Sequence, residues 1–152
     1  MPGDTPKPEL RMAAAGALTW LAPGVGHLFI GERARGIIFL VVISITFWTG
    51  IAVGGVKNTV DPENRRLWFM GQICAGGHTL VAMQWSNLLP DDPRLKAFGH
   101  EEEISVVYTA VCGMLNILVI FDVLTRCERQ SAVVVERRRK PPANQAGGKG
   151  GP

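Results

Sequence analysis

Charged residues divide this chain into four long apolar windows. The windows cover residues 12–30, 36–56, 67–89 and 104–125, and they contain no lysine, arginine or glutamate and one aspartate, Asp122. About 20 residues of helix cross a hydrocarbon core of about 30 Å, and each window has roughly that length. The pattern therefore predicts an all-α, polytopic membrane protein with four transmembrane helices.

A soluble helical bundle is the alternative, and the size of the chain argues against it. Soluble helices usually keep a polar face, whereas the window at residues 36–56 is apolar all round. A chain of 152 residues has too little interior to bury four such helices.

The sixteen lysines and arginines are distributed unevenly between the windows. With four spans, the N-terminus, the second loop and the tail share one side and carry twelve of them, against four in the first and third loops. The positive-inside rule then places both termini in the cytoplasm, with the protein in a bacterial inner membrane. We accordingly expect a cytoplasmic N-terminus (1–11), a transmembrane domain (12–125) and a basic, Pro/Gly-rich cytoplasmic tail (126–152).

The first window is interrupted in the stretch WLAPGVGHLFIGERARG, residues 20–36. Pro23 removes a backbone donor and crowds the preceding turn, so the first helix must bend or end there. Non-helical backbone at membrane depth needs cover from protein or a wet cavity. We therefore predict a broken first hairpin covered by another helix, with His27 bonded to the freed carbonyls. A segment that turned back here would instead leave three spans, with the termini on opposite sides.

The same stretch carries a motif, Pro-Gly-x-Gly-His-x-x-x-Gly followed by Arg-Gly, formed by Pro23, Gly24, Gly26, His27, Gly31, Arg35 and Gly36. It resembles the signature of the two-transmembrane-helix domain family, found in many small bacterial membrane proteins. The resemblance implies a helical hairpin in which glycines allow close backbone contact. This chain lacks the acidic-arginine-aromatic triplet of the eukaryotic members, so no signalling role is carried over from them.

A second resemblance lies in the last window. The stretch EEEISVVYTAVCGMLNILVIFDVL is similar to the last helix of a family of uncharacterised bacterial proteins of about this length. Those proteins also carry the glycine-histidine motif. Neither resemblance implies an established activity.

Three polar residues inside the windows are candidate functional groups, because polar side chains are costly in lipid. His78 and Asn116 fall near the middle of the third and fourth windows, so we predict that they bond each other across antiparallel helices. Asp122 precedes Arg126 by four residues and is predicted to form an ion pair with it on one helix.

Catalysis and cofactor binding have little support in the sequence. No nucleophile–base pair, phosphate-binding loop or metal-ligand spacing predicts an enzyme, and the three cysteines form no CxxC pair. His27 and His78 are the one pair that could hold a haem between two helices, but they differ in predicted depth. We therefore expect no cofactor. A redox subunit that binds haem or quinone is the least favoured of three hypotheses for the function.

The tail contains a basic cluster, Arg137, Arg138, Arg139 and Lys140, followed by a Pro/Gly-rich end. The composition predicts a disordered end and contact of the cluster with anionic lipids, with no nucleic-acid partner. The sequence as a whole predicts a non-catalytic structural or accessory subunit that packs against other membrane subunits or itself. A small transporter or channel-forming oligomer is the alternative.

Overall fold

A computed structural model of the protein describes residues 7–60, 66–90 and 100–139, and the regular structure in these ranges is helical. The helices are α1 (Pro8–Leu21), α2 (Val25–Phe29), α3 (Arg33–Gly54), α4 (Val56–Thr59), α5 (Arg66–Ile73), α6 (Gly77–Leu88) and α7 (His100–Arg139). The all-α prediction is confirmed. Two of the described helices, α3 and α7, contain segments long and apolar enough to cross a membrane.

The long helices α3 and α7 pack against each other in antiparallel directions and form the centre of the bundle. Glu32, directly before α3, pairs with Arg126 in the last third of α7. At the other end, Gly54 of α3 lies against Ser105 near the start of α7. Gly50, one turn before Gly54, also contacts α7. Small residues at this crossing let the two backbones approach closely.

The first apolar window forms a hairpin of two helices, α1 and α2. Contacts with α7 give their directions. Along α1, Arg11 lies by Arg129 and Gly16 packs on Leu124. Along α2, His27 bonds to Asp122, and Ile30, directly after the helix, accepts a hydrogen bond from Gln130. α1 therefore approaches the middle of the bundle and α2 returns toward the end from which α1 came. The turn between them includes Gly24, whose φ of 85° lies in the left-handed region that favours glycine.

The third apolar window is also divided, into α5 and α6. α5 runs parallel to α7, since Gln72 bonds to Thr109 and the carbonyl of Cys74 accepts a hydrogen bond from Asn116. The chain then reverses at Gly76, which has a φ of 61°.

α6 returns along α3 toward the end where α5 began. His78, in the first turn of α6, bonds to Ser44 in the middle of α3. Two turns later Trp85 packs on Trp48, with ring centroids 6.2 Å apart. The expectation that residues 67–89 form one span differs from the structure because the glycines at the break let the chain reverse.

The two hairpins come from opposite ends of the bundle and meet tip to tip in its middle. Gly76 and Gly77 lie so close to the carbonyl oxygens of Trp20 and Leu21 that a Cβ on either glycine would overlap them. A helix C-terminus carries partial negative charge and an N-terminus partial positive charge. The contact therefore joins the end of α1 to the start of α6 with favourable dipole polarity.

These contacts give the fold an internal repeat. A hairpin followed by a long helix occurs first as α1, α2 and α3 and then as α5, α6 and α7, and the second unit points in the opposite direction. The short helix α4 lies between the units and contacts α6 and α7.

The interior of the bundle contains polar as well as apolar side chains, whereas large apolar side chains are exposed on its outside. Among the described residues, eight polar side chains are buried: Thr19, His27, Thr59, Gln72, Thr79, Ser105, Thr109 and Asn116. Large apolar side chains meanwhile cover the outside, and Ile45 and Leu118 are 62% and 63% exposed. Water would penalise such an apolar surface. The distribution is typical of a protein surrounded by lipid.

The helix α7 continues past residue 126, the predicted start of the tail, and ends at Arg139. Arg137 and Arg139 are exposed near the end of this helix. Lys140, the side chain of Arg138 and the predicted disordered end lie outside the described part of the chain.

The crossing of α5 and α7 supplies a test of the packing. A Cβ on Gly113 would overlap the carbonyl oxygen of Gly71 and lie 3.0 Å from the nitrogen of Ala75. We expect Gly113→Ala to lower the free energy of unfolding by about 1–3 kcal/mol, because backbone atoms cannot move aside. Unfolding in detergent measures the change. In the control Gly16→Ala, the new Cβ meets only the flexible side chain of Leu124, so a smaller loss of stability is expected. Equal losses of unfolding free energy in both variants would contradict the close packing of α5 on α7.

Candidate functional site

Each hairpin carries a histidine near the start of its returning helix. His27 follows Gly26 in the first turn of α2, and His78 follows Gly77 in the first turn of α6. Each imidazole bonds to the long helix of the other unit. The two histidines therefore occupy equivalent places in the internal repeat.

His27 is fully buried and bonds to the aspartate of α7. Its Nε2 lies 3.0 Å from Oδ2 of Asp122, and its ring packs on Phe39 with a centroid separation of 5.2 Å. The prediction that His27 bonds the carbonyls freed at the chain break is wrong. The reversal of α2 carries the histidine onto α7, where a carboxylate is available.

Asp122 belongs to a polar cluster, which we define as His27, Glu32, Arg35, Asp122 and Arg126. Oδ2 of Asp122 accepts a hydrogen bond from Nε of Arg126 at 2.9 Å, which confirms the predicted ion pair four residues apart. Nη1 of Arg126 donates to Oε1 of Glu32 at 3.2 Å, and Oε2 of Glu32 lies 3.5 Å from Nε of Arg35. With a neutral histidine, two carboxylates and two guanidiniums balance in charge.

The polar cluster fixes the first hairpin to both long helices. Its histidine comes from α2, Glu32 lies in the turn before α3, and Asp122 and Arg126 come from α7. The side chains of these last three residues are only 25% to 33% exposed. Charge-assisted hydrogen bonds are stronger than neutral ones, and more so where water is partly excluded. Sequence reasoning did not single out Glu32, which lies between two apolar windows.

His78 occupies an aromatic environment on α3. Its Nε2 lies 2.8 Å from Oγ of Ser44, and its ring centroid lies 5.6 Å from that of Phe47 and 6.5 Å from that of Trp48. The predicted hydrogen bond between His78 and Asn116 is not formed. The physical reason is the reversal between α5 and α6, which turns His78 toward α3.

Asn116 instead stabilises the end of α5. Its Nδ2 donates to the carbonyl oxygen of Cys74 at 3.0 Å. The last carbonyls of a helix have no partner within the helix. A fully buried amide at this point satisfies one of them where the chain reverses.

A second buried group of polar side chains joins α4, α5 and α7. Nε2 of Gln72 donates to the carbonyl of Thr59 at 2.7 Å and to the hydroxyl of Thr109 at 2.8 Å. The hydroxyls of Thr59 and Ser105 lie 2.9 Å apart. Buried residues recur along α7 at spacings of three and four positions, and this spacing is the sequence feature that could have indicated the group. The residues are Ser105, Thr109, Cys112, Asn116, Val119, Val123 and Cys127.

The remaining motif residues shape the first hairpin. Gly26 packs on the backbone of Ala15, and Gly36 and Gly24 are in backbone contact where α3 crosses the start of α2. Gly31 turns the chain between α2 and α3 with a φ of 92°. Pro23 lies buried in the break itself. The motif residues therefore form the chain reversal between α1 and α2 and hold His27 in place.

The chemistry available to these groups is hydrogen bonding. Within the described structure, Nδ1 of the buried His27 ring has no hydrogen-bond partner. No group of three or more histidine, cysteine or acidic residues among the described residues could hold a metal ion.

Comparison with known proteins identifies a family for the chain. The model of a family of unknown function, DUF6677, matches residues 14–134, which span both hairpins and both long helices. The chain belongs to this family. No curated protein and no solved structure matches the chain.

The bond between the first hairpin and α7 can be measured by a double-mutant cycle. We expect His27→Ala and Asp122→Ala to show a coupling of about 0.5–3 kcal/mol in the free energy of unfolding, because the two side chains share a partly buried hydrogen bond. Combining His27→Ala with Ser44→Ala provides the control, since these residues belong to different hydrogen bonds, and the pair should be additive within about 0.5 kcal/mol. Additivity of the first pair would refute the anchoring role.

Proposed function

We propose that this member of the DUF6677 family is a non-catalytic integral membrane protein that serves as a structural or accessory subunit of a membrane assembly. The observation that carries the proposal is the closed interior of an otherwise lipid-compatible bundle. The hairpin tips touch backbone to backbone, the polar side chains inside bond to one another, and apolar side chains cover the outside.

The closed interior favours packing over conduction through a single chain. A solute crossing the middle of the bundle would have to separate Gly76 and Gly77 from the end of α1. It would also have to break the hydrogen bond between Asn116 and Cys74. Such contacts suit a rigid element that presents its outer faces to neighbouring subunits, to another copy of the chain or to lipid.

The hairpin contacts favour a membrane topology with two crossing helices, α3 and α7, and one re-entrant hairpin from each side. In this arrangement the N-terminus, the turn before α3 and the tail share a side that holds eleven of the sixteen lysines and arginines. The positive-inside rule assigns that side to the cytoplasm. Both termini are then cytoplasmic, as they would be with four spans, and the compartment proposed is the bacterial inner membrane.

Labelling with a membrane-impermeant maleimide in intact cells separates the two topologies. After replacement of the three native cysteines, single cysteines are placed at Arg33 and Arg66. The re-entrant topology predicts labelling of Arg66→Cys but not of Arg33→Cys, whereas four spans predict the reverse. Lys7→Cys should stay protected and Lys96→Cys should react in both cases, which controls for leakage and access.

The accessory role is tested by a photo-crosslinking residue on the exposed face of α3. Ile45, which is 62% exposed, should give one discrete adduct with another membrane protein or a second copy. The matched control is Phe47 on the buried face of the same helix, which should give none. Lipid adducts alone at Ile45 and at neighbouring exposed positions would count against a subunit role.

The internal inverted repeat favours one second candidate, a small transporter. Inverted repeats with broken helices meeting near the midplane recur in secondary transporters. This candidate is tested by measuring the flux of solutes or protons into liposomes that contain the purified chain. Flux that is lost in His27→Ala and His78→Ala would favour the transporter and overturn the accessory proposal.

A further inference from the structure

A basic groove lies between the start of α1 and the end of α7. Its volume is about 420 Å³. We define it by the residues that line it, which are Arg11 of α1 and Arg129, Gln130, Val133, Val134 and Arg137 of α7. It is separate from the polar cluster, and neither the sequence motif nor the packing of the hairpins accounts for it.

Arginine side chains from two different helices line this one groove, and its lining includes no acidic residue. The carboxylates of Asp122 and Glu32 are bonded to Arg126 and Arg35 in the polar cluster. Guanidinium groups match phosphate oxygens in bidentate geometry. The charge of the groove therefore complements a phosphate-bearing ligand.

In the proposed membrane topology the groove lies at the depth of the lipid headgroups. The inference drawn from the groove rests on that proposed topology. A helix rises 1.5 Å per residue, so Arg129 lies about 6 Å beyond residue 125. The headgroup layer extends about 5–8 Å beyond each side of the hydrocarbon core. Arg129 then falls inside the layer on the cytoplasmic side, and Arg137 lies farther out.

Apolar surface continues from the arginines toward the middle of the bundle. Leu118 precedes Arg129 by eleven residues, which is three helical turns, so both occupy the same face of α7. Leu118 is 63% exposed, and Val133 within the groove is 54% exposed. A ligand with both a phosphate and an alkyl chain covers this combination better than a free anion.

We propose that the basic groove binds an anionic phospholipid of the cytoplasmic leaflet. The guanidiniums of Arg11, Arg129 and Arg137 hold the phosphate of the headgroup, and Gln130 supplies a further donor. One acyl chain lies on the face of α7 that includes Leu118. The lipid thereby bridges the first hairpin and the second long helix at the end where the termini lie.

Native mass spectrometry of the full chain in mild detergent tests the site, with phosphatidylglycerol and phosphatidylcholine as probes. The wild type should retain phosphatidylglycerol preferentially. Arg11→Gln and Arg129→Gln should each weaken its retention about fivefold, as expected for the loss of one charge near a phosphate. Arg33→Gln removes an arginine on the same side but outside the groove, and it should leave retention unchanged.

Three outcomes would overturn the lipid site. The first is equal retention of the two lipids by the wild type. The second is a loss of phosphatidylglycerol retention in Arg33→Gln equal to that in the groove variants. The third is displacement of the lipid by soluble glycerol phosphate as effectively as by phosphatidylglycerol. Extraction of the protein from membranes by alkaline carbonate is a separate measurement. Release of the protein by carbonate would contradict the proposed membrane function, whereas the lipid retention ratios test only the groove.

Discussion

The fold depends on one contact, the backbone-to-backbone meeting of the two hairpin tips. Each hairpin leaves helix ends in the middle of the bundle, where close packing of backbone is possible only with small residues. The carbonyl oxygens of Trp20 and Leu21 lie where a side chain on Gly76 or Gly77 would begin, so only the glycine hydrogen atoms fit between the two backbones. This contact joins the two units of the repeat.

The polar side chains extend the same principle to the rest of the interior. His27, His78 and Asn116 each bond to a neighbouring element beside a chain reversal. Among apolar surroundings that contribute little specificity, such bonds determine which helices pair and at what register. The buried polar groups therefore have an architectural role that is sufficient to explain their cost.

The sequence revealed the all-α class, the break at Pro23 and the pair of Asp122 with Arg126, because these follow from local composition and helical spacing. It did not reveal the direction of the chain after a break. A window of 23 apolar residues fits one span as well as a re-entrant hairpin, and only tertiary contacts select between them. The pairing of His78 with Asn116 was wrong for that reason. The pairing of His27 with Asp122, 95 residues apart, had no local signal.

The central position of α7 has a consequence for biosynthesis. This last helix contacts α1, α2, α3, α4 and α5, so five earlier helices pack against a partner that is translated at the end. Until residue 122 has left the ribosome, the imidazole of His27 has no carboxylate, and the first hairpin cannot be fastened. Assembly is therefore completed only once α7 has been made, and a nascent chain that stops before α7 leaves its first hairpin without this anchor.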